Sequence, residues 1–366
     1  MKILHVYNHF YPCVGGIERY VEDLCLELIK VGHRSDVCCL NTCSGSKEKL
    51  RPYEIHKGIG IHRIPYKDLR YYKVAPHILK VARKYDLIHI HGLGFFLDLL
   101  ASTKRLHKKP LILSTHGGIF HTKKIMPAKK IYFNLLARRT LSAIEQVIAV
   151  SRNDEKLFSQ ISRNVVFLPD GIAFKTYSGI KRKPIKGAMV FIGRLSPNKR
   201  TDRLIEMIYE LKKRGKKYRL YVAGPSIEKE REKLEKMARK GNVSENVKFL
   251  GEITEKEKLD LLSKAEFFVS ASEYEGFGIS VLEAMAAGVP VIVNDIAAFR
   301  NFVEDGKNGF IVDFAKAKNI CGVLDGIKRY NLREISEKAQ KEAKKYDWKA
   351  LANRIEDIYE KATQMA

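Results

Sequence analysis

The chain has 366 residues, 45% of them apolar, which is comfortable for two domains with cores of their own. Against 42 acidic residues it carries 67 basic ones, a net charge of +25. This suits a polyanionic partner (nucleic acid, an acidic membrane face or a phosphorylated ligand) or a generally basic surface. No run of 18 or more apolar residues occurs, and the start MKILHVYNHFYP is too short and polar for a signal peptide, so a cytoplasmic protein without a spanning helix is expected.

Residues 2–7 (KILHVY) read as a first strand that runs into YPCVGGIERY. Gly15 and Gly16 let backbone approach a ligand there, although a lone Gly-Gly is weak evidence. A helix is expected over 17–31, where Ile17, Val21, Leu24, Leu28 and Val31 recur at helical spacing; Gly32-His33 ends it. Further strands are expected at 35–40, 61–64, 86–90, 111–115, 146–150 and 165–168. Five of the six cysteines (Cys13, Cys25, Cys38, Cys39 and Cys43) fall in this first stretch without a Cys-x-x-Cys. Cys38 and Cys39 should face opposite sides of one strand. Reduced, buried thiols are expected of all of them, not a metal site or a redox pair.

His91 and His116 each stand just past a strand, where an imidazole is either a satisfied structural group or a proton handler. The glycines Gly117 and Gly118 make a close ligand approach more plausible at His116. The following segment, 121–139, mixes Lys123, Lys124, Lys129, Lys130, Arg138 and Arg139 with apolar residues. It either packs on its domain or docks on anionic lipid, a possible peripheral attachment at the inner membrane face.

A polar, basic stretch over 174–187 reads as a linker. The pattern restarts with strands at 188–193, 218–223, 247–250, 267–271, 289–293 and 310–312. Strands alternating with helices mean parallel sheets covered on both faces. The expected fold class is α/β, with two doubly wound Rossmann-like domains over 1–176 and 187–346 facing a cleft.

The densest signal is 272–290, SEYEGFGISVLEAMAAGVP. The helix over 279–287 is apolar on all sides, yet it carries Glu283. A lone ionised carboxylate there must be ion-paired or bound to a polar ligand. The glycines before the helix expose N–H groups that attract phosphate. Glu275 before that start and Glu283 inside it are acceptors for hydroxyls. A phosphate between two sets of hydroxyls describes a sugar nucleotide, which favours Glu283 as a ligand group over a structural ion pair. Arg194 and Lys199, after the strand at 188–193, are either surface cations or charge for the same ligand. No Asp-x-Asp, no Gly-x-Gly-x-x-Gly after the first strand and no Gly-x-x-x-x-Gly-Lys-Ser/Thr occurs. These absences count against a metal-bridged diphosphate, a dinucleotide oxidoreductase and a P-loop enzyme.

Nearly the whole chain resembles the GT-B-fold retaining glycosyltransferases of family 4, the glycosyl transferases group 1. EYEGFGISVLEAMAAGVPVI is similar to their Glu-x7-Glu signature, GRLSPNK to their phosphate loop, and GGIERYVEDL and THGG to their N-terminal glycine loop and Thr-His-Gly segment. The Trp348-led final helix (347–366) is similar to one that crosses back onto the first domain. The resemblance implies that Arg194 and Lys199 neutralise the donor diphosphate in place of a metal. It implies that Glu283 holds the ribose, and that Glu275 with backbone around Phe277, Gly278 and Ile279 holds the transferred sugar. His116 would contact that sugar and Gly16 would admit backbone to the phosphate; His91, from its place just past a strand of the first domain, is an acceptor-side candidate. The departing phosphate would take the acceptor proton on the same face. No cofactor is implied. Two positions depart from the family: Asp170 stands for a common Asn, and Arg200, which would add charge at the donor site, for a Gly.

A glycosyltransferase moving sugar from a UDP- or GDP-sugar to a glycan or lipid-linked acceptor is the main reading. A sugar-nucleotide epimerase on the same fold is the first rival. A nucleic-acid binder is the second, but no basic motif interleaved with aromatics supports it, and no nucleic-acid partner is expected.

Overall fold

The computed structural model describes residues 1–13, 15–69, 72–117, 132–227, 229–315, 317–327 and 329–365, apart from the side chains of 134, 317–319 and 321. Gly118, Lys123, Lys124, Lys129 and Lys130 lie outside the described residues. The chain forms two compact units, Met1–Gly171 with Trp348–Ala366, and Ile172–Asp347.

The first unit is built on eight strands: β1 (Lys2–Val6), β2 (Arg34–Leu40), β3 (Tyr53–His56), β4 (Ile59–Ile64), β7 (Leu87–His91), β8 (Leu111–Ser114), β9 (Gln146–Ala149) and β10 (Val165–Phe167). A separate two-stranded ribbon, β5 (Lys67–Asp68) and β6 (Lys73–Val74), lies between β4 and β7 in sequence. The large sheet runs in the order β10-β9-β8-β7-β1-β2-β4-β3, parallel except for the β3–β4 hairpin. Both faces are covered, so alternate residues enter different cores. Leu4, Val6, Cys38 and Leu40 join one apolar cluster, and Ile3, Val37 and Cys39 join the other.

The first helix, Gly16–Lys30, buries Tyr20, Val21, Leu24 and Leu28. It ends in a Schellman turn: His33 N–H donates to Leu28 C=O and Gly32 N–H to Ile29 C=O, both at 3.0 Å, with Gly32 at φ +93°. The helix Trp348–Met365 belongs to this unit, burying Trp348, Leu351, Ile355 and Tyr359 beside Tyr20 and Leu24. A Cβ at Gly171 would run into the Trp348 indole, so the residue after Asp170 must be glycine.

The cysteine expectation needs correcting. Cys25, Cys38 and Cys39 are buried thiols, but Cys13 and Cys43 form a disulfide with Cα atoms 5.4 Å apart. β1 and β2 are parallel neighbours with Val6 beside Cys38, so the loops leaving their carboxyl ends run side by side. Pairing follows from that adjacency, which the 30-residue separation conceals.

The second unit has six strands, all parallel, in the order β13-β12-β11-β14-β15-β16. They are β11 (Ala188–Ile192), β12 (Arg219–Ala223), β13 (Val247–Gly251), β14 (Phe267–Ser270), β15 (Val291–Asn294) and β16 (Phe310–Val312). The stretch expected as a polar linker contains a helix, Phe174–Ser178, whose Tyr177 is buried in this unit. Beyond it, the Arg182 guanidinium donates to the backbone carbonyls of Ala265 and Gly288. Among the described residues no helix is long and apolar enough to cross a membrane.

Candidate active site

In each sheet the strand order reverses at one place, and ligands of such folds bind at the carboxyl edge there. The reversal lies at β1/β7 in the first unit and at β11/β14 in the second. The sequence-selected residues gather at these two edges.

In the second unit, β11 leads into Gly193–Arg200 and β14 into 271–278. The helix Ile279–Ala286 follows with Gly278 at its N-cap. Gly278 has φ +105°, and a Cβ there would sit 2.8 Å from the Phe299 ring, so glycine is required twice over. No side chain caps this helix, which leaves its first N–H groups to a ligand. Phe277 is buried beneath the turn, 5.7 Å from the Phe302 ring and 5.6 Å from Tyr346.

Lys199 and Glu275 come together: Lys199 Nζ donates to Glu275 Oε2 at 2.5 Å, and Ser272 Oγ donates to Oε1 at 2.8 Å. Arg194 is exposed, with no side-chain ion pair or hydrogen bond within the described residues. Arg200 adopts φ +50°, a left-handed conformation that accounts for glycine being usual here. Its guanidinium is occupied by Asp202 (2.9 Å) and Glu273, and the hydrogen bond to Asp202 raises its pKa most. The expectation that Arg200 adds free charge for a donor is therefore corrected.

Glu283 is buried and has protein partners. Lys258 Nζ lies 2.7 and 2.8 Å from its two oxygens, and Tyr177 Oη donates to Oε1 at 2.6 Å. Tyr177 Oη also lies 2.7 Å from Glu255 Oε1, and Lys258 Nζ 3.5 Å from Glu255 Oε2. Burial, then the two carboxylates, hold the Tyr177 phenol protonated. The sequence favours Glu283 as a ligand group over a structural ion pair; in the structure it does form an ion pair, with Lys258. Each carboxylate oxygen has two lone pairs; Lys258 and Tyr177 take both on Oε1 and Lys258 takes one on Oε2, so one lone pair on Oε2 is left for a hydroxyl. Neither partner stands in the signature segment, and no local motif announces them.

In the first unit, Gly16 opens the first helix, exposed and with nothing within 4 Å of a Cβ placed on it. His116 follows β8 with φ +46°, and Gly117 has φ +88°. The buried Asp154 braces this turn, accepting from Thr115 Oγ1 and, at 2.8 Å, from Gly117 N–H. The His116 ring is almost fully covered and points inward. Its Nε2 lies 3.0 Å from His91 Nδ1, and its Nδ1 is 3.9 Å from Asp170 Oδ1. His91 Nε2 lies 3.0 Å from His5 Nδ1. With both nitrogens taken, His91 supports His116: of its two readings the structure shows the satisfied structural group, with no nitrogen free for the acceptor-side role. Burial lowers the pKa of His5 and His116 to about 3 and that of His91 well below the usual range, so all three rings are neutral. Burial, then Asp154, raises Asp170 to about 8.

His5, His89 and His91 offer nitrogens within 4.8 Å of one another, close enough for a metal. However, His89 is bonded to Tyr359 Oη (2.6 Å) and Ser114 Oγ (2.8 Å), and His91 to two histidines. The cluster is a hydrogen-bond network, with only His5 Nε2 lacking a partner. His5 and His89 are register neighbours on β1 and β7, and His91 lies two residues on, on the same face. The pattern KILHV and LIHIH carries this signal, though a histidine inside an apolar strand reads first as core.

Residues 180–346 match the family model Glycosyl transferases group 1, and residues 14–173 match Glycosyltransferase Family 4. A GDP-mannose:cellobiosyl-diphosphopolyprenol alpha-mannosyltransferase of Xanthomonas campestris is 31% identical over 99% of this chain and 97% of its own. HepE of Anabaena, solved with UDP and glucose, superposes with a TM-score of 0.77 at 19% identity, covering 98% of each chain. Sucrose-phosphate synthase of Thermosynechococcus elongatus superposes at 0.78 and 18% identity over 100% of each. The Family 4 match covers most of the first unit and the group 1 match nearly all of the second, so the chain belongs to the family 4 glycosyltransferases of the GT-B fold.

Proposed function

We propose that the protein transfers a hexose from a nucleotide sugar to a lipid-linked saccharide, with retention of anomeric configuration and without a metal. GDP-mannose is the first donor to try and a diphosphopolyprenol-linked oligosaccharide the first acceptor, because the Xanthomonas campestris relative is named for both. The observation that carries the reading is the uncapped helix start at Ile279, opening beside the Lys199–Glu275 pair. A diphosphate at that start meets helix N–H groups and the cations Arg194 and Lys199. It competes with Glu275 for Lys199, which releases the carboxylate to bind sugar hydroxyls. Glu283 receives a ribose hydroxyl on the Oε2 lone pair that Lys258 leaves open. With these cations supplying the charge, the departing phosphate oxygen can take the acceptor proton on the same face.

The test is product formation with GDP-mannose, and separately UDP- and ADP-sugars, in excess chelator, with the new linkage read by NMR. Product with the donor's anomeric configuration at undiminished rate is expected. Inversion, or a complete loss restored by metal, overturns that part of the reading. Donor rearrangement without acceptor would favour the epimerase.

A lipid-linked acceptor would be met at an acidic membrane surface. The support is the net charge of +25 and the exposed Leu135 and Leu136 beside Arg138 and Arg139, next in sequence to the four lysines of 123–130. Liposome co-sedimentation should require anionic lipid, fall with salt, and weaken when those lysines become Ser. Indifference to anionic liposomes at low salt points to a soluble acceptor.

A further inference from the structure

Within the histidine cluster, His5 and His91 form a hydrogen-bonded line that ends on His116. His5 Nδ1 meets His91 Nε2 at 3.0 Å, His91 Nδ1 meets His116 Nε2 at 3.0 Å, and His116 Nδ1 faces Asp170 Oδ1 at 3.9 Å. β1, β7 and the turn after β8 supply the rings, and the residues after β10 supply the carboxyl group. The two ends of the line, His5 Nε2 and Asp170 Oδ1, are buried atoms without a hydrogen-bond partner. We propose that His5, His91 and Asp170 are positioning residues for His116: they form one line that holds its ring by a hydrogen bond at Nε2, faces Nδ1 with a carboxyl group, and fixes which nitrogen carries the proton.

A neutral imidazole has one N–H and one lone pair, so the chain has only two consistent directions. In one, the N–H groups point away from Asp170 and leave a buried N–H at His5 without an acceptor. In the other, His5 Nδ1–H donates to His91, His91 Nδ1–H donates to His116, and His116 Nδ1–H points at Asp170 Oδ1. The lone pair at His5 Nε2 is then left over, and the terminal N–H faces a carboxyl oxygen at 3.9 Å, beyond hydrogen-bond length, instead of facing no acceptor at all. A buried N–H aimed at a carboxyl oxygen is less costly than one with nothing before it, so the second direction is selected. Ionised, Asp170 offers acceptors only, and protonated it still offers the oxygen that carries no proton, so it can face that N–H in either state. The asparagine usual at this position can also accept through Oδ1. Neutral rings are required, and burial keeps them so. The ring then acts as a fixed strut under the turn at His116 and Gly117, and no substrate chooses its tautomer. The consequence for catalysis rests on the transfer reaction proposed above; the chain itself does not.

The test is two-bond 15N–1H NMR of the full chain labelled at histidine, between pH 6 and 9, together with steady-state transfer. His5, His91 and His116 should all be neutral and all carry the proton on Nδ1. Asp170→Leu should abolish the uniform pattern, and Asp170→Asn should restore it. His91→Phe should uncouple His5 from any change at Asp170. His89, anchored by Ser114 and Tyr359, serves as the folding control. Asp170→Leu and His91→Phe should lower kcat about tenfold or more with little change in donor KM, the scale of a displaced reacting geometry. Asp170→Asn should recover most of the loss. An imidazolium at any of the three positions, opposite tautomers within the line, or tautomers indifferent to Asp170→Leu would overturn the proposal. If the tautomers are as described but no sugar is transferred, the functional reading fails and the chain stands.

Discussion

Glu283 is a carboxylate that an apolar helix tolerates only in company, and Lys258 and Tyr177 supply it. Removing one partner of a buried pair leaves the other uncompensated. Lys258 keeps Glu255 at 3.5 Å, so Glu283→Gln should lower stability by about 1–3 kcal/mol, the cost of an under-satisfied charged group. Lys258→Met should cost a similar amount. The double variant should cost less than the sum, because the two groups share one interaction. Donor affinity separates the roles: it should fall further in Glu283→Gln, which loses a hydroxyl acceptor, than in Lys258→Met. Scanning fluorimetry and donor titration check this, and additive stability losses would mean that the pair is not coupled. Glu283 was legible as an anomaly because a single charge breaks an otherwise apolar helix. Its partners were not, since Lys258 reads as one more lysine on a charged helix and Tyr177 falls in a stretch that looks like linker. Lys199 and Glu275 were each legible, but their contact joins residues 76 apart in sequence and depends on β11 and β14 being neighbours.

The strands and helices that position these groups were legible because parallel strands buried on both faces read as short apolar runs between amphipathic helices. Of the edge hairpin, β4 falls on the strand expected at 61–64, but β3 goes unannounced for a local reason. The hairpin's two-residue turn is Lys57-Gly58, with φ +50° and +85°, where Asn-Gly or Asp-Gly would have announced it. Glycines mark the element ends that matter, for different reasons that substitution can separate. Gly278→Ala imposes a left-handed alanine and drives its Cβ toward Phe299, so about 1–3 kcal/mol of stability and most donor binding should be lost together. Gly16→Ala meets open space without a positive φ, at a helical position where alanine is preferred, so the melting temperature should hold or rise. Turnover should nevertheless fall if donor phosphate approaches that backbone. A Gly16→Ala variant that melts early would show the position to be structural.

At the scale of the whole molecule, the charge of +25 could not choose a partner by itself, and the Cys13–Cys43 disulfide depends on strand order that no spacing reveals. The buried titrating groups, however, lead to a definite pH profile. His5, His89, His91 and His116 all have lowered pKa values in the folded chain, and the half-buried His62 is lowered too. The unfolded chain binds protons at these rings near pH 6.5 and the folded chain does not, so stability must fall as pH drops from about 6.5 toward 3. Asp170 acts in the opposite sense. Its folded pKa of about 8 lies above the ordinary carboxyl value, so between those values the folded state holds a proton that the unfolded state has released. Stability due to this group falls as pH rises through that window and levels off above 8. Asp98 and Asp154, also raised by burial, act in the same sense as Asp170. Below 6.5 the four buried histidines outnumber the carboxyl groups and the acid loss dominates. Above 6.5 the Asp170 contribution remains, worth about 2 kcal/mol between pH 6.5 and 8 at 1.4 kcal/mol per proton and pH unit. Melting temperature followed from pH 4 to 9 should therefore peak near 6.5, with a steep acid side and a shallow alkaline decline. In Asp170→Asn the alkaline decline should shrink while the acid side stays steep, because the histidines remain. A wild-type profile flat below pH 6.5 would mean that the rings are solvated and charged, and an unchanged alkaline slope in Asp170→Asn would place the buried proton on another group.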